Sequence, residues 1–326
     1  MTRRHRPRLV VLTATDTPPP ANLETLHELA DVTVADAGGL AEALPGAEVL
    51  FLWDFFSEAL QEHWDAADVL EWVHVAAAGV DKLRFPQLVD SGVIVTNSSG
   101  VFDRPIAEFV LAAILAHDKQ FLRSRDLQRE HRWKHRELTR TTGSKALVVG
   151  TGGIGRETAR LLRAVGLAVR GVGRVARAED PDFGDVVASD QLAAAVGWAD
   201  HVVLAAPLTE LTRRMVDEDV LRAMRSTAHL VNVGRGALVD QDAVVAALRD
   251  GRIAAATLDV FATEPLPPEH ELWQLDNVAL SAHMCGDVVG WRDELAAAFE
   301  DNLRRFMAAE RLSSQVDLVK GYAPTS

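Results

Sequence analysis

Two α/β domains, each a doubly wound parallel sheet, with a cleft between them, are what this sequence predicts, and three observations carry the prediction. Short apolar runs alternate with helix-like stretches along the first hundred residues. A second alternating series begins at Lys145 and opens on a glycine-rich turn. A long apolar helix separates the two series, and another helix closes the chain. At 326 residues with 48% hydrophobic composition, the chain can bury two sizeable cores.

Taken in order, the runs Leu9 to Leu12, Val32 to Val34, Val49 to Leu52, Trp72 to Val75 and Val93 to Val95 are spaced like the strands of a small flavodoxin-like unit. The basic stretch Thr2 to Arg8 reads as a solvated tail, and the apolar run after it is far too short for a signal peptide or a membrane span. Pro18 to Pro20 make a turn before the first helix, since three prolines rarely suffice for a polyproline ligand. Asp103 to His117 reads as a helix, with Pro105 tolerated in its first turn. Its apolar surface extends most of the way round, so burial against a neighbouring domain or a second subunit is expected. Lys119 to Arg140, strongly charged with Trp133 embedded in it, reads as a solvated helix and loop. Further strands are expected at Ala168 to Val172, Val202 to Leu204, Ala228 to Val233, Ala254 to Leu258 and Val278 to Leu280, and a last helix from Trp291 to Arg311 crosses back to the first domain. The expected boundaries are a substrate-binding domain at 1–104, a Rossmann dinucleotide-binding domain at 105–288, and a returning C-terminal segment at 289–326.

An apolar strand runs from Lys145 directly into Gly150-Thr-Gly-Gly-Ile-Gly155, a GxGxxG turn. The first glycine permits the tight turn, the second lets a pyrophosphate approach the backbone, and the third allows close packing of helix on strand. Helical apolar spacing follows at Ile154, Leu161, Leu162 and Val165, and Gly166 is placed to cap it. With strand before, helix after and a second strand beyond, the turn points to dinucleotide binding, with the helix N-terminus facing the phosphates.

Three more motifs each follow an apolar strand, where open α/β sheets place their ligands. Arg235 lies in Asn232-Val-Gly-Arg-Gly236, Glu264 in Leu258-Asp-Val-Phe-Ala-Thr-Glu-Pro265, and His283 in Leu280-Ser-Ala-His-Met-Cys-Gly286. A guanidinium holds a carboxylate through two parallel hydrogen bonds, which makes Arg235 the candidate substrate anchor. Imidazole exchanges its proton near neutral pH, which makes His283 the candidate acid/base. A carboxylate beside an imidazole fixes its tautomer and favours its charged form, which suits Glu264. Together these groups supply what reversible hydride transfer to a 2-keto acid needs.

Carrying Gly150 to Gly155, Asn232 to Val239, Leu258 to Pro267 and Ser281 to Gly286 in that order, the chain resembles the D-isomer-specific 2-hydroxyacid dehydrogenase family, especially its glyoxylate/hydroxypyruvate reductase-like members. The likeness runs from about Val75 to Met307. It implies that Arg235 binds the substrate carboxylate together with the backbone of Gly79 and Val80, that Glu264 orients His283, and that His283 donates the proton. It also implies that Asp259 lies at the nicotinamide carboxamide, that the loop Ala205 to Thr209 lies under the riboses, and that Lys119 to Arg140 is an arm packing on the partner of a homodimer, with Trp133 in contact. Ala282 before His283, and Met284 and Cys285 after it, depart from the usual family pattern and leave the substrate open. Formate dehydrogenases of the same superfamily have Gln where this chain has Glu264, which argues against that activity. Pocket size is expected to depend on Trp53, Asp54, Phe55 and the loop Ala76 to Val80.

The expected cofactor-binding set is therefore Gly150, Gly152, Gly153, Ile154, Gly155, Arg174, Pro207, Val233, Gly234 and Asp259, with no metal. An NAD enzyme normally has Asp or Glu at the end of the second strand, to take the adenosine ribose hydroxyls. Gly173 stands there instead, and Arg174 and Arg177 could attract a 2′-phosphate, so NADP is expected ahead of NAD. The sole cysteine, Cys285, excludes an intrachain disulfide, fits the reducing cytoplasm and reads as a small hydrophobe, not a nucleophile. A net charge of −13 argues against nucleic acid or an anionic membrane as partner. Neither HExxH, CxxC, GxSxG nor a P-loop occurs, so metal hydrolase, thiol redox, serine hydrolase and phosphoryl-transfer readings lack support. The alternative is a dinucleotide-sensing scaffold or corepressor, which the complete Arg235, Glu264, His283 set disfavours.

Overall fold

The computed structural model describes residues 6–321, so Thr2 to His5 of the basic tail lie outside the described residues. The chain divides into two compact units, one ending at Phe102 and resuming at Val288, the other spanning Asp103–Asp287.

The first unit runs β1 (Arg8–Leu12), α1 (Leu23–Leu29), β2 (Asp31–Ala35), α2 (Leu40–Ala43), β3 (Val49–Leu52), α3 (Ala59–Glu62), β4 (Trp72–Val75), α4 (Pro86–Ser91) and β5 (Ile94–Asn97). All five strands are parallel, in the order β2-β1-β3-β4-β5. The inner strands β3 and β4 are buried at every residue, which is why they read as unbroken apolar runs, whereas the edge strand β2 is largely exposed. Because strand side chains alternate, Leu50, Leu52, Val73 and Val75 fill one face, while Phe51 and Trp72 point to the other.

The second unit opens with α5 (Asp103–Asp118) and α6 (Phe121–Arg129) and continues β6 (Lys145–Val149), α7 (Gly153–Ala164), β7 (Ala168–Gly173), β8 (Arg177–Asp180), β9 (Gly184–Ala188), α8 (Leu192–Val196), β10 (His201–Leu204), α9 (Glu218–Ala223), β11 (His229–Asn232), α10 (Gln241–Arg249), β12 (Ala255–Leu258) and β13 (Val278–Leu280). Its strands lie in the order β13-β12-β11-β10-β6-β7-β9-β8. From β6 the chain moves outward through β7 to β9, then crosses to β10 on the other side of β6. That reversal puts a topological switch point at the C-terminal ends of β6 and β10, where such sheets bind ligands. Gly166, at φ +91°, ends α7 as a left-handed cap, with the Leu167 N–H donating to the Leu162 carbonyl.

One difference from expectation lies at β8. Arg177, which the sequence offers as able to attract a 2′-phosphate, belongs to a short edge strand antiparallel to β9, and its guanidinium donates to Asp180 at 2.7 Å. Asp180 also accepts from Arg156 of α7 at 3.2 Å, so charge pairing anchors a strand too polar to read from periodicity. After β13 the chain returns to the first unit as α11 (Trp291–Met307). There Phe299 stacks on Phe51 at 3.9 Å and lies 5.2 Å from Trp72, covering the second face of that sheet. No helix of the described residues is long and apolar enough to cross a membrane.

Candidate active site

The glycine turn follows β6 at the switch point. Gly150 takes φ +114°, and a Cβ there would lie 2.5 Å from the Ala205 carbonyl oxygen at the end of β10. A Cβ on Gly155 would come within 1.9 Å of the Gly150 carbonyl oxygen, so the first turn of α7 packs directly on the strand that precedes it. Gly152 differs: nothing lies within 4 Å of its Cβ position. Here the backbone is open beside the N-terminus of a twelve-residue helix, and these residues fit a dinucleotide pyrophosphate. Gly153 and Ile154 form the first turn of α7 and are half-buried.

The neighbouring strand ends complete a rim. Pro207 follows β10 and is exposed, while Val233, buried, and Gly234, half-buried, follow β11. Arg174 is exposed immediately after β7. Beside it, a Cβ on Gly173 would meet the Thr151 hydroxyl at 3.0 Å.

Across β11, β12 and β13 the candidate catalytic groups converge. Arg235 leaves β11 through a turn bracketed by Asn232, whose side chain accepts from the Gly234 N–H at 3.2 Å and donates to the Arg235 carbonyl at 3.0 Å. Gly236 then comes so close to the loop after β12 that a Cβ would lie 1.9 Å from the Phe261 carbonyl carbon. This contact brings the Arg235 turn and the Glu264 loop together backbone to backbone. Glu264 Oε1 accepts from the Phe261 N–H at 2.8 Å, and its Oε2 lies 2.7 Å from His283 Nδ1. Burial alone would raise the Glu264 carboxyl, but the hydrogen bonds from His283 and Phe261 and the charges of His283 and Arg235 outweigh it and hold the group below its ordinary value.

His283 has φ +52°, a left-handed conformation uncommon outside glycine and costing about 1 kcal/mol or more, so its surroundings must impose it. Those surroundings are largely Asp259, which follows β12 and is fully buried. Its carbonyl accepts from the His283 N–H at 2.8 Å. Its carboxylate accepts from the Ser281 hydroxyl at 2.6 Å and from the Met284 and Cys285 N–H groups, each at 3.0 Å. Burial, followed by the charge of Asp259, pushes the Cys285 thiol far above its ordinary range, which removes it as a thiolate nucleophile.

Gly79 and Val80 belong to the first unit, in the turn after β4, Val80 buried and Gly79 half-buried. In the same unit Trp53 is buried and donates from its indole to the Pro18 carbonyl at 2.8 Å. Among the described residues no cluster of His, Cys, Asp or Glu could hold a metal ion. Sequence reasoning passed over Gln241, at the start of α10, whose side chain accepts from the Ala262 N–H at 2.9 Å and steadies the Glu264 loop. A lone glutamine on a helix carries no signal of that contact. Ser281, within the His283 motif, is one of the donors to Asp259.

Comparison with known proteins follows the same residues. Residues 111–285 match the D-isomer specific 2-hydroxyacid dehydrogenase NAD binding domain. A glyoxylate reductase of Korarchaeum cryptofilum is 34% identical over 261 residues, covering 76% of this chain and 76% of that protein. A glyoxylate reductase of Thermococcus onnurineus is 34% identical over 264 residues, covering 76% and 77% respectively. Among solved structures, a D-isomer specific 2-hydroxyacid dehydrogenase of Xanthobacter autotrophicus in complex with NADPH and MES superposes with a TM-score of 0.83 at 31% identity, covering 98% of this chain and 100% of that one.

Proposed function

This chain belongs to the D-isomer specific 2-hydroxyacid dehydrogenase family, and we propose that it reduces a short 2-keto acid of the glyoxylate or hydroxypyruvate kind to the D-2-hydroxy acid, with NADPH as the preferred reductant. The observation that carries this reading is the 2.7 Å contact between Glu264 and His283, formed where the Arg235 turn meets the Glu264 loop. A reduced dinucleotide, its pyrophosphate held at the glycine turn, would supply the hydride. Arg235 pairs with the substrate carboxylate through two N–H donors, which orients the keto carbon. His283 gives its Nε2 proton to the carbonyl oxygen as negative charge develops there. Glu264 holds the ring and stabilises its charged form before transfer. In the reverse direction neutral His283 takes the hydroxyl proton back.

Gly173 and Arg174 support NADPH, since no carboxylate stands at the end of β7 to repel a 2′-phosphate and a guanidinium follows directly. The ion pair of Arg177 with Asp180 removes that second arginine from the argument. NADPH is also the dinucleotide bound by the Xanthobacter relative. A homodimer is part of the proposal: Trp133 is fully exposed on the segment after α6, with Phe121, Leu122 and Leu138 also exposed, an apolar set suited to a second copy. A buried free Cys285 suits a cytoplasmic location.

The test is the loss of reduced-nicotinamide absorbance with a panel of 2-keto acids and both dinucleotides. Turnover of two- or three-carbon keto acids with a higher kcat/KM for NADPH is expected; a preference for NADH would sink the cofactor assignment, and inertness toward all short keto acids the substrate assignment. Arg174→Ala is the cleaner variant, expected to weaken NADPH selectively. Gly173→Asp must also displace Thr151.

A further inference from the structure

We infer that Asp103 ties dinucleotide binding to a proton: its carboxyl lies at the start of α7, where the pyrophosphate is held, and gives up its charge when that group seats. The inference rests on the reading of the glycine turn as the dinucleotide site, a turn that lies within the residues matched to an NAD binding domain, and adds a residue of α5 to it. Asp103 and α7 belong to the same unit. A Cβ built on Gly153 would lie 2.2 Å from Asp103 Oδ2, 2.8 Å from its Cγ and 2.9 Å from its Oδ1. The whole carboxyl therefore fills the place where a side chain at 153 would stand. Gly153 has no left-handed backbone, unlike Gly150, so room for Asp103 is what glycine provides here.

Gly152 supplies no side-chain cap to α7, so the first N–H groups of the helix are left for an anion. Two anions thus compete for one helix end: the carboxylate already beside it and the incoming pyrophosphate. Neighbouring charges give the carboxylate little help. Burial, and then the charge of Glu157, push Asp103 above its ordinary value, while Arg160 pulls the other way. Arg160 is itself engaged by Asp182, which accepts from its Nε at 2.7 Å, and Arg156 pairs with Asp180 and Asp182. On α5, Arg104 donates to Glu108 at 2.7 Å and to Glu157 at 3.1 Å. Each of these three arginines is committed to another carboxylate. Protonation resolves the conflict, because a neutral Asp103 no longer repels the pyrophosphate and its hydroxyl becomes a donor that a phosphate oxygen can accept. A proton is taken from solvent as the dinucleotide binds and returned as it leaves. Affinity is then greatest at acid pH, where the carboxyl is neutral before binding. It falls as pH rises through the range in which the carboxyl is charged in the free protein and neutral in the complex.

ADP-ribose is the probe that tests this. It carries the pyrophosphate without the nicotinamide, which leaves His283 out of the reading, and without a 2′-phosphate, whose own titration lies at about pH 6. Calorimetric titration between about pH 5 and pH 8, in buffers of unequal ionisation heat, should show wild type taking up part of a proton and binding more weakly as pH rises. Asp103→Asn should take up none and bind with an affinity that hardly changes across the range. At its upper end this variant should hold ADP-ribose at least about fivefold more tightly than wild type, the factor that one like charge at contact carries even in bulk water. Glu157→Gln touches no residue of the glycine turn and keeps the question open to measurement should Asp103→Asn fold poorly. By removing the charge that raises Asp103, it should move the fall in affinity to lower pH; a fall left in place would count against the inference. The same pH dependence in wild type and Asp103→Asn, or weaker binding by Asp103→Asn, overturns the role of Asp103 and leaves the glycine turn as the dinucleotide site. Binding of ADP-ribose by neither protein would sink the dinucleotide reading of the turn, and the role of Asp103 with it.

Discussion

Opposite ends of one sheet hold histidines in opposite circumstances. At the C-terminal ends of the strands, His283 is 29% exposed in its side chain and bonded to a carboxylate. At the N-terminal ends, His229 opens β11 and His201 opens β10, both almost completely buried. The ring of His229 stacks on His117 of α5 at 4.4 Å and lies 5.7 Å from His201. Its Nε2 meets the Thr257 hydroxyl at 2.9 Å. His201 Nε2 lies 3.5 Å from Asp118, an electrostatic contact without hydrogen-bond geometry. Burial pushes His229 well below the ordinary histidine value, and its two neighbouring imidazoles push the same way. For His201, burial again dominates over the opposing pull of Asp118. The contrast is one of surroundings: His283 has the bonded carboxylate and the solvent access that acid/base chemistry requires, whereas the same side chain a strand length away is buried and held below its ordinary value by that burial.

The strongest way to break this comparison is His283→Ala. Turnover is expected to fall about 10²- to 10⁴-fold with NADPH still binding. Retention of more than about a tenth of wild-type kcat, well short of that range, would put His283 in the same class as the buried His201 and His229. Next in size is Arg235→Lys: kcat/KM for the keto acid should drop about 10- to 100-fold, because a point charge cannot reproduce the two parallel hydrogen bonds. An unaffected kcat/KM would remove Arg235 from the substrate.

Glu264→Gln sharpens the contrast from the other side. The imidazolium loses its negative neighbour, so the decline of keto-acid reduction with rising pH should move to lower pH. An unchanged profile would mean that the 2.7 Å contact does not govern protonation. The smallest effect is on stability. The folded chain keeps His229 neutral, whereas the unfolded chain takes up a proton near the ordinary value, so its contribution is complete at pH 7 and is lost as pH falls below about 6.5. By pH 5 one such residue accounts for at most about 2 kcal/mol. In His229→Leu the urea midpoint should therefore drop less between pH 7 and pH 5 than in wild type, with kcat at pH 7 little changed. Parallel losses in both proteins would show that the buried cluster titrates elsewhere.

Much of the fold was legible from residue order alone. Buried parallel strands are continuous apolar runs, so Val49 to Leu52 and Trp72 to Val75 announced themselves, as did β6 leading into the glycine turn. The trio could be singled out because each member follows a strand, and strand ends in a parallel sheet face one rim. β8 was illegible because its place at the edge depends on Arg156 and Arg177 meeting Asp180, a set of ion pairs between α7 and a strand that has no apolar period. The histidine cluster is illegible for a similar reason: His117, His201 and His229 are 84 and 28 residues apart in sequence and touch only because α5 lies across the starts of β10 and β11.

What the sequence by itself determined was the class of fold, the glycine turn and the chemical types gathered at the sheet's edge. Tertiary structure alone decided which polar groups satisfy which. Arg177 pairs inward, Gln241 accepts from the Ala262 N–H of the Glu264 loop, and Asp259 accepts from the Met284 and Cys285 N–H groups. The physical reason is range: apolar periodicity is local and repeats along the chain, whereas a buried hydrogen bond must be made with whatever group the fold brings within about 3 Å, however distant in sequence.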